Sequence, residues 1–320
     1  MTADAAIQTR RLGRSELVVP RVALGCGNFG GVGSAPEFFG QGADEDTALA
    51  IMDAAWELGI RHFDTADAYG GGRSEKTIGR WMAARGVRPM LTTKTFNPMV
   101  AGGDHGLAPE RMKRQIHSSL ERLGVDHIEV YLTHDHDGDV APESVVETLE
   151  GFRAQGLIDA TGVSNYTAAQ LRDTLAAGHV DSIQNSYSLL ARDDEAEVLP
   201  LCAREGVSYT VYSPLAGGWL TGKYRRGATF PEGSRMTQRP EGYAAFLCDA
   251  TFDALEELER IGAGRGISMA GLALAWLLAN PLVTQFVVGP MRPDHLEPLR
   301  EALANPLSAQ ERDEIGGLFA

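Results

Sequence analysis

Cysteine and basic residues are both scarce in this chain. Among its 320 residues there are three cysteines, Cys26, Cys202 and Cys248, and no two of them form a Cys-x-x-Cys pair. This spacing argues against a disulfide framework and a structural zinc site, and it fits a reducing, cytoplasmic compartment. Because 29 basic residues face 43 acidic ones, the formal net charge is −14. A nucleic-acid or anionic-lipid partner requires a basic surface, so we expect neither.

A targeting signal and an uninterrupted membrane span are also missing from the sequence. Residues 1–10 contain no apolar core of the kind that a secretory signal has. The stretch from Met269 to Gly289 is nearly all apolar, but Asn280-Pro281 and Gln285 interrupt it. Proline cannot donate a backbone hydrogen bond and breaks a helix at that point. We therefore predict a buried helix followed by a strand, in a protein that does not enter a membrane.

Short apolar runs alternate with amphipathic segments along most of the chain. Such alternation is typical of a parallel sheet whose strands are joined by crossover helices. The eight predicted strands are Val22–Leu24, His62–Asp64, Met90–Lys94, Ile128–Leu132, Asp159–Val163, Ser182–Asn185, Ser208–Tyr212 and Thr284–Val288. No Pro/Gly/Ser-rich linker divides them, so the sequence predicts a single domain over residues 1–320, an α/β protein with a closed (β/α)8 TIM barrel. An open doubly wound sheet is the alternative.

Helix signals lie between the predicted strands, and Pro109 and Pro142 each open a helical turn. The predicted helices are Thr47–Leu58, Glu75–Ala84 with Ser74 as N-cap, Glu110–Leu123, Glu143–Gln155, Thr167–Ala177, Glu195–Glu205, Phe252–Ile261 and Met269–Ala279. Before the first strand, Gln8 to Val19 predicts an N-terminal β-hairpin that caps the bottom of the barrel. A long loop follows Tyr212, after the seventh strand, and loops of that size are usually functional.

Two short motifs resemble ligand loops but lack the required context. Gly25 to Gly30 reads G-x-G-x-x-G after a strand, yet more glycine, serine and proline follow instead of the helix that a dinucleotide fingerprint needs. We predict a rim loop there. Asp135 to Asp139 resembles part of a calcium loop but lacks its terminal glutamate, so we predict a turn.

Polar residues stand at the carboxyl ends of the predicted strands, where barrel active sites lie. Asp64, Tyr69, Lys94 and His134 occupy the ends of the second, third and fourth strands. A phenol titrates near ~10 in water, and a nearby ammonium lowers that pKa. Aspartate would keep the lysine charged, and histidine would align a carbonyl group by a second hydrogen bond. Such a set supplies a proton but no electrons, so it requires a hydride-donating cofactor.

Six motifs along the chain resemble motifs of one protein family and occur in the order in which that family has them. They are Phe63–Gly70, Thr93–Lys94, Tyr131–His134, Gly162–Tyr166, Gln184–Ser188 and Tyr212–Gly218. Together they resemble the aldo-keto reductase superfamily over almost the whole chain. The resemblance implies an NADP(H)-dependent oxidoreductase that reduces an aldehyde or ketone to an alcohol, with NAD(H) as a possible cofactor.

The resemblance also implies a role for individual residues. Tyr69 would be the general acid, Lys94 and Asp64 would tune it, and His134 would orient the substrate carbonyl. Ser164, Asn165 and Gln184 would hold the nicotinamide carboxamide, and Tyr212 would stack on the ring. The residues that would line the pyrophosphate path are Ser213, Leu215, Gly217 and Lys223.

The loop after the eighth strand, from Gly289 to His295, departs from the family pattern. Relatives carry glutamine and asparagine where this chain has His295 and Leu299, at the positions that grip the adenosine end of the cofactor. Arg292 remains, and its guanidinium suits a 2′-phosphate, which favours NADP(H). We predict that Gly289, Arg292 and His295 contact the cofactor.

Two other function classes stay open at this point. His134 and His136 form an H-x-H pair, which metal-dependent barrel hydrolases use, but the later strand ends offer Ser, Asn, Gln and Tyr instead of ligands, so we predict no metal. Some proteins that resemble this family are non-catalytic or regulatory subunits of potassium channels.

The substrate is expected to be a small carbonyl compound or alcohol. Aromatic residues expected at the rim would suit an apolar, aryl or sugar carbonyl, and they are Phe29, Phe38, Phe39, Phe96 and Trp219. The physiological substrate and the direction of the reaction are not encoded in these residues. We expect a monomer or a small homo-oligomer.

Overall fold

Eight parallel strands close into a barrel, as the sequence predicts. The computed structural model describes residues 6–319, so residues 1–5 and 320 of the predicted domain lie outside the described residues. The strands are β3 (Val22–Gly25), β4 (His62–Asp64), β5 (Met90–Thr95), β6 (Ile128–Thr133), β7 (Ile158–Ser164), β8 (Ser182–Ser186), β9 (Ser208–Tyr212) and β10 (Val283–Val288). Around the barrel they follow the order β10-β3-β4-β5-β6-β7-β8-β9, and every neighbouring pair is parallel.

Helices surround the barrel, and each predicted helix overlaps an observed one. They are α1 (Glu45–Glu57), α2 (Arg73–Arg85), α3 (Pro109–Leu123), α4 (Pro142–Ala154), α5 (Ala168–Ala177), α6 (Val198–Glu205), α7 (Arg235–Gln238), α8 (Asp249–Arg265), α9 (Met269–Leu278), α10 (Glu297–Ala304) and α11 (Ala309–Gly317). Thr167 and Ser308 cap α5 and α11 with reciprocal capping boxes. Local capping chemistry therefore sets several helix starts.

The predicted N-cap of α2, Ser74, is wrong. The helix begins at Arg73, and its N-cap is Gly72, whose φ of +86° is favourable only for glycine. Ser74 is buried, and its hydroxyl donates to the carbonyl of Cys26 at 2.9 Å. Because the preceding glycines let the chain turn early, the serine is free to make a tertiary contact instead of a cap.

The N-terminal hairpin closes the bottom of the barrel, as predicted. Its strands are β1 (Thr9–Arg11) and β2 (Val18–Pro20), which pair antiparallel. Leu12 and Val19 pack with Val130, Leu132 and Ala160 from the barrel strands. The N–H of Gly13 donates to Oγ of Ser208, the first residue of β9, at 2.7 Å. The hairpin is thus a plug at the amino ends of the strands, opposite the expected active site.

Burial explains the long apolar stretch that begins at Met269. The residues of α9 are almost all buried, and every residue of β10 is buried as well. No single helix within residues 6–319 is both long and apolar enough to cross a bilayer. Helices α8 and α9 pass that test only as a pair, and the chain bends by 88° between them.

Candidate active site

A lysine and an aspartate from adjacent strands form a buried ion pair at the carboxyl end of the barrel. Lys94 Nζ donates to Asp64 Oδ1 at 2.5 Å and to the carbonyl of Thr65 at 2.9 Å. The lysine side chain is fully buried and that of Asp64 is 6% exposed. Burial opposes the ammonium charge, but the carboxylate of Asp64 and the phenol of Tyr69 outweigh it and raise the pKa of Lys94. Lys94 is therefore held as a cation inside the protein.

Tyr69 follows β4 in a short 3-10 turn, Tyr69–Gly71, and its ring faces the same pair. Lys94 Nζ lies 5.3 Å from the centroid of the ring. The hydroxyl of Tyr69 lies 3.4 Å from Nε2 of His134, and the two rings meet edge to face. The structure thus brings the predicted phenol, ammonium, carboxylate and imidazole together at one end of the barrel.

The net pKa shift of the phenol differs from the expected one. Burial raises the pKa of Tyr69, the Lys94 charge and hydrogen bond lower it, and the Asp64 charge raises it, with a net shift upward. The prediction that lysine lowers this pKa is right about the sign of that one contribution but wrong about the sum. Desolvation penalises a phenolate more than one neighbouring cation offsets, because a carboxylate already neutralises that cation.

His134 is a neutral imidazole. Burial and then the Lys94 charge hold the pKa of His134 well below its usual range. Nδ1 is buried and has no hydrogen-bond partner among the described residues, whereas Nε2 faces Tyr69. A buried N–H without an acceptor is rare, so we assign the proton to Nε2 and a bare lone pair to Nδ1. Nε2 is then a hydrogen-bond donor aimed at the space beside the phenol.

The predicted carboxamide ligands lie together at the ends of β7 and β8. Ser164 Oγ donates to the carbonyl of Gln184 at 2.7 Å. The Asn165 side chain donates to the carbonyl of His134 at 2.9 Å, and the Tyr212 hydroxyl donates to Asn165 Oδ1 at 2.6 Å. The Asn165 side chain also donates to Ser164 Oγ at 3.3 Å, so three side chains of this group are joined to the backbones of Gln184 and His134.

Gln184 also contacts the ion pair, which the sequence did not indicate. Its Nε2 donates to Asp64 Oδ2 at 2.8 Å. A carboxylate only accepts hydrogen bonds, so this contact fixes the amide orientation and turns the side-chain oxygen of Gln184 away from Asp64. That oxygen is therefore the group available to a ligand N–H.

The turn after β9 has a conformation suited to a bound phosphate. Ser213 and Ala216 have positive φ angles of 53° and 47°, which are uncommon outside glycine. Gly217 and Gly218 follow with φ of 63° and 97°. Turns of this kind can bind an anion through N–H groups that are not used inside the turn. Here the N–H groups of Ala216 and Gly218 donate to the carbonyls of Ser213 and Leu215. Side chains at positions 217 and 218 would collide with Tyr243 and Lys223, so glycine lets an aromatic ring and an ammonium lie on the turn.

The loop after β10 places its predicted cofactor residues at the surface. The guanidinium of Arg292 is bound by Asp294 through two hydrogen bonds of 3.0 Å, so its charge has a partner. His295 Nδ1 accepts from the N–H of Met291 at 3.3 Å. Leu299 is buried in the core. Gly289 faces Asn28, whose Nδ2 would lie 3.8 Å from a Cβ at that position.

Sequence reasoning missed the residues through which the long loop reaches the rim. Arg235 in α7 donates to Asn28 Oδ1 at 3.2 Å, and Gly27, the neighbour of Asn28, packs on the ring of Tyr69. Arg239 lies 5.0 Å above the ring of Phe38. The length of the loop was a signal that it has a function, but it did not indicate which residues turn inward.

Two of the five aromatic residues expected at the rim are core residues instead. Phe29 and Trp219 are both fully buried. Trp219 packs among Tyr224, Phe246 and Phe252, where it anchors the long loop. Large rings gain more from complete burial than from a rim position when a loop of their own covers them.

The metal-hydrolase alternative requires a cluster of metal ligands. Within residues 6–319 no three His, Cys, Asp or Glu side chains are grouped as a metal site would need. His136, the second histidine of the H-x-H pair, packs on the ring of Tyr166 with 5.1 Å between ring centroids.

Comparisons with known proteins agree on one family. The model of the Aldo/keto reductase family matches residues 21–318. The "Uncharacterized oxidoreductase YrpG" of Bacillus subtilis (strain 168) is 34% identical to this chain, over 96% of the chain and 94% of the relative. A "Probable voltage-gated potassium channel subunit beta" of Oryza sativa subsp. japonica is 30% identical, over 93% of the chain and 91% of the relative. The solved structure of the glycerol dehydrogenase AKR11B4 from Gluconobacter oxydans has a TM-score of 0.83 at 25% identity, over 99% of this chain and 95% of that one.

Proposed function

This chain belongs to the aldo/keto reductase family, and from that premise we propose that it reduces a small aldehyde or ketone to the alcohol with NADP(H). Members of the family are oxidoreductases that use nicotinamide cofactors. In this chain Tyr69 gives the proton, Lys94 and Asp64 control its acidity, and His134 aligns the carbonyl. Aryl, aliphatic and sugar carbonyls are the candidate substrates.

One observation carries the proposal. A phenol, an imidazole, an ammonium and a carboxylate from three strand ends and one turn meet at the open end of the barrel. The Tyr69 hydroxyl and His134 Nε2 are 3.4 Å apart, so one carbonyl oxygen can accept a hydrogen bond from each. When the oxygen gains negative charge, the phenol proton moves to it, and Lys94 stabilises the phenolate that is left.

The residues around this centre fit a nicotinamide dinucleotide. The cofactor supplies the hydride that the protein lacks. Gln184 offers an oriented amide oxygen to its carboxamide, with Ser164 and Asn165 beside it, and Tyr212 offers an aromatic face. The concave turn at Ser213–Gly218, with Leu215 within it, and the ammonium of Lys223 suit the pyrophosphate.

NADP(H) is the proposed cofactor form, with NAD(H) as the alternative. Arg292 and His295 lie on the exposed loop after Gly289 and are the groups proposed to bind a 2′-phosphate. The ion pair with Asp294 competes for the same guanidinium. We propose a single-domain, cytoplasmic protein that acts as a monomer or small homo-oligomer without nucleic-acid, membrane or metal partners.

A second candidate function is a regulatory subunit that binds the cofactor without catalysis, because a relative at 30% identity bears the name of a potassium channel subunit. All four residues of the proposed catalytic tetrad, Tyr69, Lys94, Asp64 and His134, are present, which favours the enzyme. The two functions differ in turnover: a binder takes up the nucleotide and leaves it unchanged, whereas an enzyme oxidises it at a rate that saturates with the carbonyl substrate.

The test is NADPH oxidation across aryl, aliphatic and sugar carbonyls by the wild type and by Tyr69→Phe. We expect at least one saturating substrate and a loss of about 10²- to 10⁴-fold in kcat in the variant, with nucleotide binding retained. Tyr209→Phe is the matched control, since it removes the hydroxyl of a buried tyrosine that bonds Asp194 away from the tetrad. Turnover that survives in Tyr69→Phe would refute the assigned acid, and absence of turnover with every class would favour the regulatory subunit.

A further inference from the structure

The strand that carries Lys94 presents two threonines to the opposite side. Side chains alternate along β5, so Lys94 points into the barrel while Thr93 and Thr95 face the helices. Thr93 Oγ1 donates to Glu75 Oε1 at 2.6 Å, and Thr95 Oγ1 donates to Asp67 Oδ2 at 2.7 Å. All four side chains are buried. Two hydroxyl–carboxylate bonds therefore flank the lysine, and we call Asp67, Glu75, Thr93 and Thr95 the carboxylate clamp.

The two carboxylates belong to the segment that carries the phenol. Asp67 stands two residues before Tyr69, and Glu75 lies in the first turn of α2, just after it. The N–H of Asp67 also donates to the carbonyl of Lys94 at 3.0 Å. The clamp thus fastens the tyrosine turn to the lysine strand from behind, on the face that substrate and cofactor do not touch.

Thr95 extends the same connection to the histidine. Its carbonyl accepts from the N–H of His134 at 2.9 Å, while its hydroxyl holds Asp67. Three groups of the tetrad are therefore tied, through one residue, to a common frame. A shift of Thr95 would move the phenol, the ammonium and the imidazole relative to one another.

The two carboxylates differ in how well they are paired. Arg122 Nε donates to Glu75 Oε2 at 2.6 Å, so both oxygens of Glu75 have partners. Asp67 Oδ1 is buried and has no partner among the described residues, and Arg111 reaches the hydroxyl of Thr95 at 2.9 Å rather than the carboxylate. A half-satisfied buried carboxylate costs stability. A neutral residue would cost less here, which points to a role in function.

We propose that Asp67 and Thr95 are positioning residues for proton transfer, holding the Tyr69 hydroxyl at its working distance from Lys94 and His134. The inference rests on the proposed function, since it concerns the geometry of that proton donor. Glu75 and Thr93 act with them as the fully neutralised half of the clamp. None of the four touches the reacting atoms.

Charge on Asp67 makes the clamp sensitive to pH. The groups that face it are Glu75 on α2, Arg111 and Arg122 on α3, Thr95 on β5 and Tyr131 on β6. Burial and the charge of Glu75 raise the pKa of Asp67 to about 7, against the Thr95 hydrogen bond and the two arginines. The charged form accepts the threonine hydrogen bond more strongly. The clamp therefore positions the Tyr69 hydroxyl tightly above pH ~7 and less tightly below it. The stability of the fold responds in the opposite direction: the contribution of Asp67 is greatest at low pH and is lost as pH rises through the folded-state pKa.

The experiment compares Thr95→Val with Thr95→Ser in the full chain. Valine keeps the shape and removes the hydroxyl, and Arg111 keeps its bond to the carbonyl of Gly106 at 3.0 Å. We expect valine to lower kcat by about 10- to 100-fold, with KM and the NADPH dissociation constant within about threefold, and serine to restore kcat. Equal losses in both variants, or an unchanged kcat in valine, would overturn the proposal.

Asp67→Asn is the second variant, should Thr95→Val fail to fold. It removes the charge. We expect kcat of the wild type to rise through pH ~7 and that of Asp67→Asn to lack this rise, while the thermal stability of the variant near pH 8 increases. A second measurement does not need turnover. The pH titration of the Tyr69 phenol is followed by ultraviolet absorbance, and the titration of Tyr69→Phe is subtracted to isolate its signal. We expect a shift of that titration in Asp67→Asn, and an unshifted titration with an unchanged pH profile would refute the clamp. Because the titration needs no carbonyl substrate, failure of the proposed function and failure of the clamp remain distinguishable.

Discussion

The phenolic hydroxyl of Tyr212 donates a 2.6 Å hydrogen bond to Oδ1 of Asn165. Asn165 has a φ of +62°, and its amide N–H groups reach the carbonyl of His134 at 2.9 Å. The ring proposed to stack on the nicotinamide is therefore held by an amide that also contacts the backbone of the proposed carbonyl-aligning residue. Ring and hydroxyl have separable roles at this position.

We expect Tyr212→Ala to weaken NADPH binding by about 5- to 100-fold, because the aromatic face is lost. Tyr212→Phe keeps the ring and loses only the bond to Asn165, so its dissociation constant should stay within about threefold of the wild type. Fluorescence titration of NADPH measures both. Equal weakening in the two variants would show that the hydroxyl, rather than stacking, governs binding.

The Lys94–Asp64 pair should matter for stability as well as for chemistry. Lys94→Met leaves the Asp64 carboxylate buried with the Gln184 amide as its remaining side-chain partner. Breaking a buried pair on one side costs about 3–5 kcal/mol in free energy of unfolding. The double variant Lys94→Met/Asp64→Asn should regain a large part of that loss, although it stays inactive. Urea unfolding checks this, and a single variant as stable as the wild type would contradict it.

Cofactor preference should respond to Asp294. This carboxylate occupies the guanidinium of Arg292 through two bonds of 3.0 Å. Asp294→Asn should release Arg292 and tighten NADPH about 3- to 10-fold while NADH changes little. Arg292→Ala is the control, and in that background the asparagine should have no effect. If the two nucleotides tighten equally in Asp294→Asn, Arg292 does not read the 2′-phosphate.

His62 should make the protein less stable in acid. Burial, followed by the Lys94 charge, lowers the pKa of His62 to about 4, against the charge of Asp64. Gln285 Nε2 donates to its Nδ1 at 2.9 Å, so protonation would set two donors against each other. A folded-state pKa below the unfolded one gives stability that is complete above pH ~6.5 and lost as pH falls towards 4, about 3 kcal/mol in all.

Unfolding curves for the wild type and His62→Gln between pH 7 and 4 test this. Asp67 contributes a slope of opposite sign in both proteins, so the difference between the two curves isolates His62, and the variant should lose less stability than the wild type towards pH 4. His127→Gln is the matched control. Burial lowers the pKa of His127, but its hydrogen bonds to Gly156 and Asp159 outweigh that and raise it. Its contribution to stability therefore has the opposite sign. A slope in His62→Gln equal to that of the wild type would place the acid-sensitive group elsewhere.

Much of the barrel and its tetrad could be predicted because both follow from local patterns. Strand-length apolar runs predict the strands, and parallel strands bring their carboxyl ends to one edge, so Asp64, Lys94 and His134 had to meet. The pattern could not predict whether burial or the Lys94 charge has the larger effect on the pKa of Tyr69. Burial raises the pKa of Tyr69, and the loop after β3 contributes contacts that no local pattern indicates: Gly27 lies against its ring, and the N–H of Gly70 donates to the carbonyl of Gly33.

The remaining misses concern side chains whose partners are distant in sequence. Gln184 meets Asp64 across 120 positions, and Arg235 meets Asn28 across 207. Phe29 and Trp219 are aromatic residues in loops, which suggests a place at the rim, but both are fully buried in the folded protein. Ser74 follows the rule for a helix cap, yet Gly72 takes that position because it adopts a positive φ. Nothing in a local window of sequence distinguishes these outcomes.

The N-terminal hairpin that plugs the barrel has a consequence for the order in which nucleotide and carbonyl compound bind. Leu12 and Val19 fill the amino end of the barrel, so the dinucleotide and the carbonyl compound would both enter at the carboxyl end. Ser164 and Gln184, the groups proposed to bind the nicotinamide, are buried at the carboxyl ends of β7 and β8. On the proposed function, a nucleotide held by these buried groups would enter before the carbonyl compound and leave after the alcohol. We expect compulsory-order kinetics, in which the spent nucleotide competes with NADPH and the alcohol does not.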